Sequence, residues 1–200
     1  MSAVHLIVLA LALAIAAPVS AQPSTQRIRG DVVSIEGNKL SVRSRTGQVV
    51  DVDLADNYAV SAVVRVGPDA IRQGSFVGAA SMPQADGTLR ALEVLVFPES
   101  GRGSGEGHYP WDLQPGSMMT NATIAHVESV DGGSRMTLNY RDGEKIVVVP
   151  PGTPIVTFEP GGREMVVPGA HVIFTATIKP DGSLAASRLA VGKDGLVPPM

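Results

Sequence analysis

The chain contains no cysteine in 200 residues. No disulfide can staple it, no thiol can serve as nucleophile or metal ligand, and no lipid can be attached through an N-terminal cysteine. Aromatic residues are only 4% of the composition, with a single Trp, so aliphatic side chains must build the interior. Charged residues are 18%, and the net charge is −3. Lys and Arg stand singly among acids, which leaves no basic stripe to displace counterions from a phosphate backbone. Nucleic acid is therefore excluded as a partner, and a polybasic membrane-surface patch is equally missing. Amphipathic helical periodicity is scarce. What the chain does have is 22 Gly and 15 Pro punctuating short stretches of alternating apolar residues, which is the pattern of β structure.

The longest apolar run lies at the start, from Leu6 to Ala17, followed by Pro18 and the small residues Val19-Ser20-Ala21. This order reads as a secretory signal peptide over residues 1–21. The run is shorter than the roughly 20 residues a membrane span needs, although its n-region has no Lys or Arg, and retention as an anchor stands as the alternative. The expected mature chain starts at Gln22 in the periplasm, with no stable membrane span after cleavage.

The rest of the chain says nearly the same thing twice. In each copy a Gly opens a strand (Gly74, Gly169), an Asp-Gly turn follows (Asp86-Gly87, Asp181-Gly182), and then come a Leu (Leu89, Leu184) and an Ala (Ala91, Ala186). The offset between copies is constant at these landmarks, as expected of a duplicated unit. Period-two alternation is clear at Leu40 and Val42, and at Val50, Val52 and Leu54, with Gly37-Asn38 as a hairpin turn. Only Asp69–Gln73 reads as a helical turn.

With no helical layer to cover a sheet face, five or six short strands must close on themselves. The expected fold is all-β: two tandem small antiparallel β-barrels, OB-like, after the N-terminal signal peptide. An SH3-like barrel or a two-sheet sandwich fits the same pattern. The division is a first barrel repeat at 27–98, a Gly/Pro-rich linker with a Trp plug at 99–119, a second barrel repeat at 120–192, and a tail at 193–200.

The landmarks Gly30, Val32, Ile35, Leu40, Val42, Gly47, Val52, Leu54, Gly74, Val77, Asp86, Gly87 and Ala91 resemble an exported bacterial family of tandem OB-fold-like domains of unknown function. The second copy keeps Val127, Met136, Leu138, Gly143, Val148, Gly169, Val172, Asp181, Gly182 and Ala186, but has Ala122 where the first copy has Gly30. The linker Gly107–Leu113 and the tail Gly195–Met200 are similar to α-proteobacterial members, some of them labelled as related to metal transport. The resemblance implies a fold and almost nothing about activity. A permease label conflicts with a chain that has one cleavable apolar segment.

Chemistry has few places to reside. The linker gathers His108, Tyr109 and Trp111 between prolines. One reading makes Trp111 a plug that fixes the orientation of the domains; the other makes the three residues a ligand site in the groove between them. A metal site would use His108 with Met118 and Met119, whose imidazole and thioethers suit Cu(I), although two adjacent residues of a strand face opposite ways. Asp51, Asp53 and Asp56 lack the Gly and terminal acid of a calcium loop. Ser104 lies in a Gly-rich stretch that matches neither a nucleophile elbow nor a phosphate loop. No acid–base or nucleophile constellation is visible and no cofactor is expected. The function expected is that of an exported non-enzymatic binding or structural protein whose ligand or protein partner is unknown, with a periplasmic metal-binding accessory role as the alternative.

Overall fold

The computed structural model describes residues 24–199, so the signal-peptide reading over 1–21 lies outside the described residues. The described residues form twelve strands. They are β1 (Thr25–Glu36), β2 (Lys39–Ser44), β3 (Val49–Arg65), β4 (Phe76–Pro83), β5 (Leu89–Val96), β6 (Gly107–Pro110), β7 (Met118–Val130), β8 (Gly133–Tyr140), β9 (Gly143–Val149), β10 (Ile155–Gly161), β11 (His171–Ile178) and β12 (Leu184–Gly192). The all-β barrel architecture expected from alternation is present. Among the described residues, no helix is long and apolar enough to cross a membrane.

Each barrel is a ring of five strands. In barrel A, β1 pairs β2, β2 pairs β3, β3 pairs β12, β12 pairs β11, and β11 returns to β1. In barrel B the ring runs β7, β8, β9, β5, β4 and back to β7. Both have the Greek-key order of a five-stranded OB-type barrel, with closure by a parallel pairing, β3 with β12 and β5 with β9.

The strands of each ring come from both repeats. Barrel A takes three strands from the first repeat and its last two from the second; barrel B does the reverse. The boundaries 27–98 and 120–192 therefore mark repeats in the sequence and not barrels in space. The two copies have exchanged their terminal hairpins.

The duplication is preserved in the register. Leu189, Ala190 and Val191 pair Val60, Ser61 and Ala62, as Val94, Leu95 and Val96 pair Ile155, Val156 and Thr157. The counterpart of continuous β3 is thus β9 plus β10, broken by Pro150, Pro151 and Pro154, whose missing amides cannot extend a ladder. β3 and β10 then pair antiparallel, Arg65 with Val156 through Val60 with Gly161, about a local pseudo-dyad.

The turns obey the same symmetry. Asp86 accepts from the amide and hydroxyl of Thr88 at 2.9 and 2.7 Å, and Asp181 accepts the same pair from Ser183 at the same distances. Gly87 and Gly182 follow at φ 84° and 83°, a region that L side chains avoid. The helical turn expected after Pro68 is a single 3-10 turn, Pro68–Ala70, matched by Arg163–Met165.

Three apolar clusters result. Ile28, Val32, Leu40, Val42, Val52 and Phe174 fill barrel A with their neighbours. Val77, Val94, Ile124, Met136, Leu138 and Val147 fill barrel B. Between them, Val63, Leu95, Val156 and Ile173 form a seam, with Phe97 and Phe158 packed on it. Each cluster joins side chains from both repeats, so the exchange is held by the same apolar burial that closes the rings.

Candidate functional site

The Pro98–Ser117 connection positions the residues singled out in the sequence. It includes β6, a short strand absent from the strand pattern, which pairs His108 with Thr120 and Tyr109 with Met119 on β7. β7 accordingly begins at Met118, within the stretch expected to be linker.

His108 Nδ1 contacts the Thr120 hydroxyl at 2.8 Å, and its ring stacks on Tyr140 at 6.4 Å. Partial burial, then the Lys145 charge, lowers the His108 pKa. The Tyr109 hydroxyl accepts from Asn121 Nδ2 at 3.2 Å. Burial raises the pKa of that phenol against the opposing effect of the Arg27 charge. Met119 is buried, and strand alternation sends it to the face opposite Met118 and His108. His108, Met118 and Met119 therefore do not converge. Among the described residues no group of three or more His, Asp or Glu is arranged to hold a metal ion. The acidic trio is also dispersed: Asp53 binds Lys39 and Lys179, Asp51 accepts from Ser41, and Asp56 accepts from Asn38.

Trp111 is half-buried and lies under Arg27, whose guanidinium carbon is 3.6 Å from the ring centre. The next residue, Asp112, accepts from Arg27 at 2.7 Å and takes Arg29 in a two-pronged contact at 2.9 Å. Its hydrogen bond with Arg29, followed by the two positive charges, holds the Asp112 carboxyl well below the usual carboxylate range despite some burial. Forked Arg–carboxylate pairs are the stronger kind of ion pair because two parallel bonds fix the geometry. Arg29 is itself buried. The linker leads into β7 of barrel B, and its Trp-Asp pair grips β1 of barrel A. It acts as a latch across the two rings.

The arginines were missed as a group because they are apart in sequence. Arg27 and Arg29 alternate along β1, and Arg43 and Arg45 flank the end of β2. Asp31 pairs Arg43, and the Arg45 amide donates to the Arg29 carbonyl at 3.1 Å. All four arginines therefore lie on the outer face of one hairpin. The signal that could have found them is the R-x-R spacing on both arms of a predicted hairpin. On β11 that face continues through His171, Ile173 and Thr175.

Beside the latch lies Glu93, fully buried, with neither carboxylate oxygen hydrogen-bonded. Burial pushes its pKa up to about 8; the Arg29 charge opposes this, and the Ala80 amide also does so without reaching hydrogen-bond geometry. Nothing at the sequence level marks it, because a Glu in an alternating strand reads as solvent-facing.

A groove of about 530 Å³ runs along the seam. Phe97, Phe158, Ile173 and Ala190 form its apolar wall, and Ser61, Ser100, Ser187 and Arg188 supply polar groups. Phe97 and Phe158 meet edge to face at 6.3 Å and keep part of their surface exposed. Such an arrangement can hold an apolar body by its rings and orient it through hydroxyls and one guanidinium. Comparison with protein-family models, with curated proteins and with solved structures returns no match for this chain.

Proposed function

We propose that this chain is an exported, non-enzymatic binding protein that uses the groove along the seam of its two exchanged barrels. The observation that carries the reading is the pair of partly exposed rings, Phe97 and Phe158, set among hydroxyls and Arg188 in one concave surface. A few convergent polar groups on an apolar wall are the usual makeup of a site for a small molecule or an extended partner segment. The exchanged strands and the Trp111–Asp112 latch support it by holding both walls of the groove in one arrangement. Preorganisation of this kind lowers the entropic cost of binding. The polar groups of the linker are spent on β7, His108 on Thr120 and Tyr109 on Asn121. That suits a scaffold better than an acid–base site.

Periplasmic export belongs to the same proposal and is supported by the Leu6–Ala17 run and the small residues before Gln22. Cell fractionation with N-terminal sequencing tests it, the expected result being a mature chain that begins at Gln22. For the groove, the test is a fragment screen read by chemical-shift perturbation. Hits should cluster on Phe97, Phe158 and Arg188 and disappear in Phe158→Ala with the fold intact. Hits that map elsewhere, or that survive the substitution, would remove the groove from consideration.

A further inference from the structure

The arginine face carries more positive charge than the latch consumes. Arg27, Arg29, Arg43 and Arg45 share it, whereas Asp112 serves both Arg27 and Arg29. Asp31 bonds His171 at 2.5 Å, so the four guanidiniums face two carboxylates, Asp112 and Asp31. Burial pushes the pKa of Glu93, an acid beside Arg29, up to about 8. A protein of net charge −3 thus assembles a local cationic surplus through strand register.

Past the latch, this face folds into a cleft of about 80 Å³. Its walls are Arg29, Arg43, Ser44, Arg45 and His171, with Asp31 beside them, and Val197 and Pro198 of the C-terminal tail close the far side. The contact of Arg45 with the tail is a 3.5 Å approach to the Pro198 carbonyl, the weak limit of a hydrogen bond. Partial burial, then the neighbouring Arg29 charge, disfavours the Arg45 cation, and Asp112 only partly offsets this. A guanidinium held near another guanidinium, and partly withdrawn from water, is stabilised by any anion that enters.

We propose that this cleft binds a small oxyanion, a phosphate, sulfate or carboxylate group, held by Arg43 and Arg45 with Arg29 behind them and His171 at the rim. The cleft has the volume of roughly two to three liquid waters at about 30 Å³ each. That admits one such group, and a larger ligand would have to present its oxyanion at the open mouth. The planar guanidinium fork matches oxyanions of this type in two-pronged geometry. The inference is independent of what the seam groove holds.

The test is calorimetry and thermal unfolding of the mature chain with inorganic phosphate, sulfate or acetate against chloride at matched ionic strength. Saturable binding of at least one oxyanion, with a matching rise in Tm, is expected. Arg43→Gln and Arg45→Gln should each weaken it about tenfold or more, the loss of a charge-assisted donor, with Tm in chloride unchanged. Arg90→Gln, exposed on barrel B, should bind as wild type does. No saturable binding, equal binding by the Arg43→Gln/Arg45→Gln double variant, or an equal loss in Arg90→Gln would overturn the site. Association with phosphatidylglycerol vesicles but not with the free anions would overturn it as well, since the face would then be a membrane surface.

Discussion

The amide of Gly169, in the second repeat, donates at 2.8 Å to the carbonyl of Val32, in the first. Its counterpart Gly74 does the same for Ile124 at 2.8 Å. The glycine that opens the fourth strand of each repeat is thus bonded to the first strand of the other. With the strands exchanged in this way, cutting the tie between repeats should leave them joined. A protease site inserted between the exposed Gly103 and Ser104 and then cleaved should give two fragments that elute together as one species on gel filtration. Fragments that separate in native buffer would mean that each repeat closes its own ring.

The latch predicts a loss of stability with a spectroscopic signature. Trp111→Ala removes the platform under Arg27 and should cost about 2 kcal/mol, a few degrees or more of Tm in a chain of this size. Wild-type emission should be blue-shifted, because the indole Nε1 is buried with no hydrogen-bond partner. Asp112→Asn should cost about 1 kcal/mol, since the carboxylate is half exposed. The Asp112 pKa is lowered by folding, so its contribution is full above the ordinary carboxylate range near pH 4 and fades below it. Emission like that of free Trp, with Tm unmoved by Trp111→Ala, would remove the latch.

Glu93 predicts pH dependence of the opposite sense. Folding raises its pKa to about 8, so the native state holds a proton that the unfolded chain releases. Stability from this group is fully present below the unfolded value near 4.5, falls as pH rises toward about 8, and stays low beyond. Between those two values the decline is about 1.4 kcal/mol for every pH step of one, at most. Urea unfolding at pH 5 and pH 8.5 should show a decline in wild type that is largely missing in Glu93→Gln. Parallel pH profiles for the two proteins would show that Glu93 is not held neutral.

The difference between Gly30 and Ala122 predicts intolerance in one copy only. A Cβ at Gly30 would lie 2.0 Å from the Arg43 carbonyl oxygen and 3.0 Å from the Ser44 Cα. Both belong to the neighbouring strand and cannot move aside as a flexible side chain would. Gly30→Ala should therefore cost about 2 kcal/mol or more, whereas the buried Ala122 is native in the other barrel. A Tm within a degree of wild type would refute the steric account.

Strand positions were legible because alternation is a local property: Leu40, Val42, Val52 and Leu54 all point inward as their spacing requires. The exchange was not legible, for a reason that lies in the duplication itself. Val172 and Phe174 carry the same inward phase whether they close on β1 or on β7, so the apolar pattern satisfies both closures. What separates them is the path of the chain after Val66 and after Gly161, which alternation does not encode. β6 was hidden because four residues ending in Pro110 show too little periodicity. At the candidate site, Trp111 was conspicuous by its rarity. Its arginine partners were not, because summing charge along the chain treats Arg27, Arg29, Arg43 and Arg45 as dispersed. Cross-strand pairing is what gathers them.

The asymmetry between β3 and its broken counterpart has a mechanical meaning. β3 runs without interruption from the β2 hairpin, along β12, to the pairing with β10, so barrel A and the seam share one stiff rod. In barrel B the same path passes through Pro150, Pro151 and Pro154, where the ladder stops and resumes. The walls of the groove are thus continuous with barrel A through Ser61 on β3, while the path from barrel B is interrupted at its prolines.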